Sequence, residues 1–238
     1  MTVIKDAIEK IIEMAAPNII NMTDDTVYSD RHLHPILNPV PDPLSVATLS
    51  SLLDYLERNV DSLERDGLMV HVETFNKVSL LSALDDPFEQ RKVYIQASAM
   101  TPTIHFERRM DPESFIIQLQ SMFVKTYQRD NLLKFLGSLK AGFSKTMSDN
   151  GVSQTVTAKT GVTMVSDVEV PNPVTLQPYR TFTEIEQPTS DFVFRIHGGQ
   201  DEPTCALYEA DGGAWKLVAI ERIAEWLREN LPDVAVIA

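Results

Sequence analysis

Two His-x-Glu patterns are the residues of this sequence whose types and spacing best suit metal binding or acid–base chemistry. His71 and Glu73 lie in "LMVHVETF", and His105 and Glu107 lie in "TPTIHFERRM"; both segments alternate apolar with polar residues, as strands do. Residues two apart point to one face of a strand, so each pattern places an imidazole beside a carboxylate. If the two strands were neighbours in matching register, the four groups would suit a divalent metal or general acid–base catalysis. The alternative interpretation places both pairs on a solvated face and the intervening apolar residues in the core.

Other catalytic or cofactor-binding patterns are sparse. His32 and His34 form a His-x-His pair in a proline-rich segment, but no Cys or acid follows at a zinc-like interval. Cys205 is the single cysteine, which leaves neither an intrachain disulfide nor a cysteine zinc site. The sequence contains no P-loop, no G-x-G-x-x-G and no G-x-S-x-G. We therefore expect a protein that is not an enzyme and has no cofactor, with a metal-dependent activity on the His-x-Glu pairs left open.

The charge of the chain is unevenly distributed. The net charge is −13 at pH 7 over 238 residues, which argues against whole-surface binding to nucleic acid or to an anionic membrane. Residues 1–66 carry 12 acids and 5 bases, and residues 184–238 carry 11 acids and 4 bases, whereas residues 67–147 carry 8 acids and 10 bases. This basic middle is interpreted as a phosphate-binding patch, as a surface for the acidic ends of neighbouring subunits, or as a solvated mixed surface. The candidate nucleic-acid or subunit contacts are Arg108, Arg109, Lys125, Arg129, Lys134, Lys140 and Lys145.

Hydrophobic periodicity predicts an α+β fold, with a mixed, mainly antiparallel sheet and a central helix pair. An N-terminal helix ends at Pro17, and an Asp-Pro N-cap at Asp111 opens the first central helix. The second central helix is predicted to run to the "SDNG" turn at Asn150, and a C-terminal helix follows "VAIERIAEWLREN". Its predicted inward residues are Val218, Ile220, Ile223, Trp226 and Leu227.

The predicted strands surround these helices. They comprise "LMVHVETF", "KVSLLSAL", "KVYIQASAM", "TPTIHFERRM", "VTLQPYRTF" and "DFVFRI". "VSQTVTAKTGVTMVSDVEV" is predicted to be a hairpin turning at Thr160-Gly161, and "CALYEADGGAWKL" another turning at the Gly-Gly pair.

The predicted domain organisation is an N-terminal helix with a proline-rich arm, residues 1–45, and a single α+β domain, residues 46–238. A short amphipathic helix followed by a proline-rich arm is typical of a tether to a neighbouring subunit, so we expect a homo-oligomer. The first residues lack the order of a signal peptide, and no apolar run approaches the roughly 20 residues of a membrane span. With one cysteine, the expected location is a reducing cytoplasm, without membrane partners.

Three stretches together resemble a known family. They are "DNLLKFLGSLKAGFSKTMSDNGVSQTVTAKTGV", "VPNPVTLQPYRTFTEIEQPTSDFVFRI" and "ALYEADGGAWKLVAIERIAEWL". Over roughly Leu68 to Leu231 the chain resembles the YfdQ-like family of uncharacterised bacteriophage and prophage proteins. The resemblance implies a phage or prophage origin and a bacterial host cytoplasm. It implies no activity and no catalytic residues.

The stretch "QPYRTFTEIEQPTSDFVFR" is unusually rich in aromatic, arginine and acidic residues. Tyr179 and Phe182 are predicted to pack on the sheet while Arg180 pairs with Glu184 or Glu186. The Pro residues on both sides lack a ladder donor, which indicates an edge or a corner of the sheet. The stretch is therefore interpreted as a connection between strands, as a partner-binding edge formed by these five residues, or as an active site.

These observations predict a non-enzymatic phage or prophage accessory protein that acts by oligomerisation and macromolecular binding. Its partner would be a host or phage protein, and counter-defence through an acidic, nucleic-acid-like surface is one version. The alternatives are a nucleic-acid-binding helper in phage replication or recombination, and a self-assembling ring or shell protein.

Overall fold

The chain divides into two compact units, Met1–Pro41 and Asp42–Ala238. The structure, a computed structural model, describes residues 2–15, 19–21, 27–29, 42–84, 91–149, 154–160, 164–198 and 203–238. His32, His34 and most of the proline-rich arm lie outside these residues.

Among its described residues, the first unit contains one helix and a pair of short strands. The helix α1 spans Thr2–Ala15, and the strands β1 (Ile19–Asn21) and β2 (Val27–Ser29) pair antiparallel. Every side chain described in α1, from Ile4 onward, is exposed.

The second unit contains four helices and eleven strands among the described residues. The helices are α2 (Leu49–Arg58), α3 (Pro112–Met122), α4 (Tyr127–Gly142) and α5 (Trp215–Asn230). The first strands are β3 (Leu44–Val46), β4 (Leu68–Thr74), β5 (Lys77–Ser82), β6 (Val93–Ser98) and β7 (Phe143–Asp149). The remaining strands are β8 (Gln154–Thr160), β9 (Met164–Glu169), β10 (Val174–Leu176), β11 (Ser190–His197), β12 (Thr204–Glu209) and β13 (Ala235–Ile237).

A mixed five-stranded sheet, in the order β13-β4-β5-β6-β3, builds the first of two cores in the second unit. Its three central strands pair antiparallel, and the two edge strands pair parallel to their neighbours. The alternation along β4 buries Val70 and Val72, and α2 and α5 supply Leu52 and Ile223 to the same core. Thr48 caps α2, because its hydroxyl oxygen accepts the Ser51 N–H at 3.2 Å.

An antiparallel sheet, β10-β11-β12, forms the second core together with α3 and α4. Phe115 of α3 lies 5.5 Å from Phe194 of β11, measured between ring centroids. The predicted Asp111 cap is confirmed, since its carboxylate accepts the Ser114 N–H at 2.9 Å. A third sheet, β7-β8-β9, is also antiparallel.

The predicted fold class is therefore confirmed: the chain is α+β, with mainly antiparallel strands. The hairpin from β4 to β5 and the antiparallel pair of β8 with β9 are also confirmed, the latter with Thr160 opposite Met164. The C-terminal helix is confirmed as well, although Val218, predicted to point inward, is 37% exposed.

Three local predictions are wrong. The segment 101–109 contains no strand, because its backbone meets β12 only at isolated points. The second central helix ends at Gly142, and the following residues pair with β8, a long-range partner that helical spacing does not reveal. The Gly212-Gly213 pair leads from β12 into α5 and closes no hairpin; both glycines have positive φ, 63° and 82°.

Candidate functional site

The two His-x-Glu patterns are not brought together. His71 and Glu73 lie on β4, whose neighbours in the sheet are β5 and β13, whereas His105 and Glu107 lie in the segment before α3. The hypothesis of a four-residue metal or acid–base site is therefore wrong. In the described part of the chain, no three His, Cys, Asp or Glu residues are grouped as metal ligands would be.

The glutamate of the first pattern instead has local partners. The Glu73 carboxylate accepts Ser79 Oγ at 2.5 Å and Lys77 Nζ at 2.7 Å. Burial acts to raise the pKa of Glu73, but these two partners outweigh it and hold the pKa below its usual value. Glu73 is thus an ion-pair partner on the surface of the five-stranded sheet.

Cys205 lies within β12 and is fully buried. Burial raises the pKa of its thiol to about 12, with a smaller contribution from the charge of Asp111. The thiolate that nucleophilic catalysis requires is therefore scarce at neutral pH.

Arg180 pairs with a glutamate that is distant in the sequence and not with Glu184 or Glu186. Its guanidinium donates to Glu209 Oε1 at 2.5 Å and to the Ser190 hydroxyl, and the side chain is 7% exposed. The guanidinium carbon also lies 3.8 Å from the centre of the Trp215 ring. The predicted pairing with Glu184 or Glu186 is wrong, because Glu184 accepts from Ser50 and Glu186 lies beside Arg222.

We call Arg180, Ser190, Glu209 and Trp215 the arginine cluster. It joins two stretches of unusual sequence, "PYRTF" and "EADGGAW". Desolvation lowers the pKa of Arg180 to about 10, against the opposing charges of Glu209 and Asp211, so the guanidinium stays protonated at neutral pH. A buried guanidinium stacked on an indole and bonded to a carboxylate stabilises the connection between β12 and α5. We therefore infer that these residues stabilise the fold and do not form a catalytic or binding site.

The buried amide of Gln187 holds the loop that follows Arg180. Its Oε1 accepts the backbone N–H groups of Arg180 at 2.9 Å and Thr181 at 3.2 Å. Its Nε2 donates to the carbonyl oxygens of Phe182 at 2.9 Å and Ile185 at 3.5 Å. This role was not predicted from the sequence, although the Gln-Pro step that follows two glutamates is visible there.

The predicted partner-binding edge is therefore largely internal. Phe182 is 1% exposed and belongs to the core beneath α2 and α5, and Arg180 is buried in its cluster. Tyr179 is half-buried, and its backbone N–H donates to the Met122 carbonyl at 3.0 Å. Most of the stretch connects the two cores, as the first of its three interpretations proposed.

Asp211 makes the stability of this cluster depend on pH. Burial acts to raise the pKa of its carboxylate, but hydrogen bonds from Ser190 Oγ at 2.6 Å and Gly213 N at 3.0 Å, with the charge of Arg180, hold the pKa below its usual value. A depressed folded-state pKa stabilises the fold at pH values above the unfolded pKa, and this stabilisation is lost as the pH falls through the folded pKa.

We therefore expect Asp211→Asn to destabilise the protein at pH 7 and to have a progressively smaller effect below about pH 4. Urea unfolding of wild type and variant between about pH 7 and pH 2.5 measures the difference in unfolding free energy. Asp233→Asn, which removes an exposed carboxylate, is the control. A difference that stays constant over this range would contradict the linkage.

The basic middle of the chain is only partly available to a partner. Arg129 is committed to the fold, since it donates to the Phe123 carbonyl at 3.1 Å and to Asp130 at 3.1 Å. Lys125 and Lys134 are exposed. The side chains of Lys140 and Lys145 lie outside the described part of the structure.

Arg108 and Arg109 line a cleft of about 400 Å³ that follows one side of α3. We call this cleft the α3 groove; it is defined by His105, Arg108, Arg109, Ile117, Ser121 and Met122. Both guanidinium groups are exposed, and neither makes an ion pair with any residue that the structure describes.

The segment that carries these two arginines is firmly held although it is not a strand. The Gln118 amide, 4% exposed, accepts the His105 N–H at 2.9 Å and donates to the His105 carbonyl at 3.4 Å. Met110 and Cys205 exchange two backbone hydrogen bonds of 2.9 and 2.7 Å. Between these anchors Glu107 has a φ of 60°, a conformation that non-glycine residues rarely adopt.

The groove combines positive charge with an apolar wall. Asp111 also lines it, but its carboxylate is bonded to the N-terminus of α3, and these hydrogen bonds lower its pKa. Ile117 is 56% exposed beside the groove. The arrangement suits a ligand that is both acidic and partly hydrophobic.

Neither protein families, curated proteins nor solved structures give a match to this chain. Membership of the YfdQ-like family therefore stays a prediction that rests on the three sequence stretches quoted above. No helix among the described residues is long and apolar enough to cross a membrane.

Proposed function

We propose that this chain is a non-enzymatic bacteriophage or prophage accessory protein that oligomerises and binds a macromolecule in the bacterial host cytoplasm. The α3 groove is the binding surface. The observation that carries the proposal is the pair of exposed arginines, Arg108 and Arg109, on a segment held by Gln118 and β12. Because hydrogen bonds already hold the backbone that carries them, binding has to order only the two side chains, which favours affinity.

The chemistry of the groove favours an acidic, partly hydrophobic segment of a partner protein. Two guanidinium groups provide planar donors for carboxylates. Ile117 and Met122 provide apolar contacts that a sugar-phosphate backbone would leave unused. Counteraction of a host defence protein is one role that such binding supports.

The test uses a labelled 12-residue peptide of alternating glutamate and leucine and measures fluorescence anisotropy. We expect Arg108→Glu combined with Arg109→Glu to weaken binding at least about tenfold, because two attractive charges become repulsive. Both side chains are exposed, so the unfolding free energy should change by less than about 0.5 kcal/mol.

The matched control is Lys125→Glu combined with Lys134→Glu. It changes the net charge by the same amount, and neither residue lines the groove. Binding retained in this control and lost in the arginine variant supports the groove. Equal loss in both variants, or no binding by wild type, refutes it.

A nucleic-acid-binding role is the second candidate, and the observation in its favour is the exposure of Lys125 and Lys134 as well as the two groove arginines. If single-stranded DNA were the ligand, binding would weaken steeply with salt, with a slope of about −0.7 per phosphate contact. A labelled 20-nucleotide strand titrated at several salt concentrations tests this. Under this alternative, both pairs of charge reversals would reduce the slope.

A further inference from the structure

The helix α1 presents a continuous apolar face to solvent. Ile4 is 70% exposed, Ile8 52%, Ile11 64% and Ile12 64%. A 14-residue helix is about 21 Å long and marginally stable in water when nothing packs against it. An exposed apolar face of this kind is typical of a helix that packs against a partner.

The pattern of the face matches a bundle of identical helices. Ile4, Ile8, Ile11 and Ala15 are spaced by four, three and four residues, which are the a and d positions of a heptad repeat. Isoleucine, a β-branched residue, at both the a and the d positions favours bundles of three or four helices over pairs of helices. The spacing is also self-complementary, since each copy offers the surface that the other copies need.

The charges of α1 narrow the identity of the partner. Lys5 pairs with Glu9 at 3.6 Å and Lys10 with Glu13 at 3.1 Å, so the polar face satisfies its charges largely within the helix. With Asp6 included, the helix carries three acids and two bases, for a net charge of −1. Helices that lie on anionic membranes carry basic polar faces, which α1 lacks. A further copy of α1, by contrast, meets little repulsion.

The width of the face argues for more than two copies. At 100° per residue, the apolar positions from Ile4 to Ala15 span an arc of roughly 160°, wider than the narrow seam of a two-stranded coiled coil. Two helices of this length would leave part of the arc, including Ile12, in water. A third or fourth helix covers it.

We propose that the α1 helices of three or four copies of this chain pack into a bundle that holds the oligomer together. This inference rests on the proposed function only in assuming that the chain forms an oligomer. It adds which surface holds the oligomer together and how many copies it contains. The bundle would bring several α3 grooves into one particle. A partner with several acidic segments would then bind far more tightly than one groove allows.

The experiment measures the mass of the full chain by light scattering on a sizing column, at about 0.1 M and 1 M salt. We expect wild type at three or four times the chain mass of 26.7 kDa at both salt concentrations, because apolar packing is not screened. Ile4→Ala, Ile8→Ala and Ile11→Ala together should shift the mass towards one chain. Alanine favours helices more than isoleucine does, so lost helicity would not explain the shift.

The matched control is Glu9→Ala with Glu13→Ala on the polar face, which should leave the mass unchanged. A monomeric wild type, a dimer, an oligomer lost at high salt, or an alanine triple variant that stays assembled would each overturn the proposal. The peptide titration of wild type separates the two ideas. Groove binding by a monomeric wild type refutes only the bundle, and an assembled wild type that does not bind the peptide refutes only the groove.

Discussion

Replacing Arg180 with methionine is expected to lower the free energy of unfolding by about 3 kcal/mol. The guanidinium is buried, stacks on Trp215, and bonds to Glu209 and Ser190. Removing one member of a buried ion pair typically costs about 3–5 kcal/mol, because the other charge loses its partner. Glu209 is 35% exposed and retains some hydration, which places the expected cost at the lower end of that range.

Urea unfolding at pH 7 measures this change, and the double variant Arg180→Met with Glu209→Gln tests its cause. Because the double variant leaves no unpaired carboxylate at Glu209, it should recover part of the lost stability. Arg228→Met is the control, since Arg228 is exposed on α5 and makes no ion pair with any residue that the structure describes. That variant should cost less than about 1 kcal/mol. An Arg180 variant as stable as the control would show that the cluster contributes little.

Replacing Gln187 with leucine is expected to destabilise the protein by about 2–4 kcal/mol. Leucine is similar in size to glutamine, but it leaves the Arg180 and Thr181 N–H groups and the Phe182 carbonyl without their partner. A buried polar group left unpaired costs about 1–3 kcal/mol. Three such groups would together cost about 3–9 kcal/mol if none of them reached water, and partial relaxation of the loop lowers the expected cost to about 2–4 kcal/mol.

A second substitution, Gln187→Glu, separates the effect of the hydrogen bonds that the Gln187 side chain accepts from the effect of those that it donates. A carboxylate accepts both N–H groups but does not donate to the Phe182 carbonyl, so its cost at pH 7 should differ from that of leucine. The control is Gln177→Leu, which removes longer bonds of 3.3 and 3.4 Å at a half-buried position and should cost less than about 1 kcal/mol. Equal effects at positions 177 and 187 would contradict the role assigned to the buried amide.

The candidate site was only partly predictable. Arg108 and Arg109 belonged to a set of seven bases, and nothing in their spacing distinguished them from Arg129. The distinction comes from the fold, which gives Arg129 the Phe123 carbonyl and Asp130 as partners and leaves the other two exposed. The predicted strand at 101–109 also hid the groove, because its alternation comes from Phe106 stacking on Phe192 at 5.3 Å.

The sequence by itself determined the fold class and several local elements of this protein: the Asp111 cap, the strands β4 and β5, and the amphipathic helix α1. These features depend on hydrophobic periodicity and capping, which involve residues within a few positions of one another. Only the tertiary structure decided which distant groups meet. Arg180 is four and six residues from Glu184 and Glu186 but pairs with Glu209, because the register of β11 with β12 brings Glu209 to the buried guanidinium. Such pairings depend on geometry between strands, which sequence spacing does not encode.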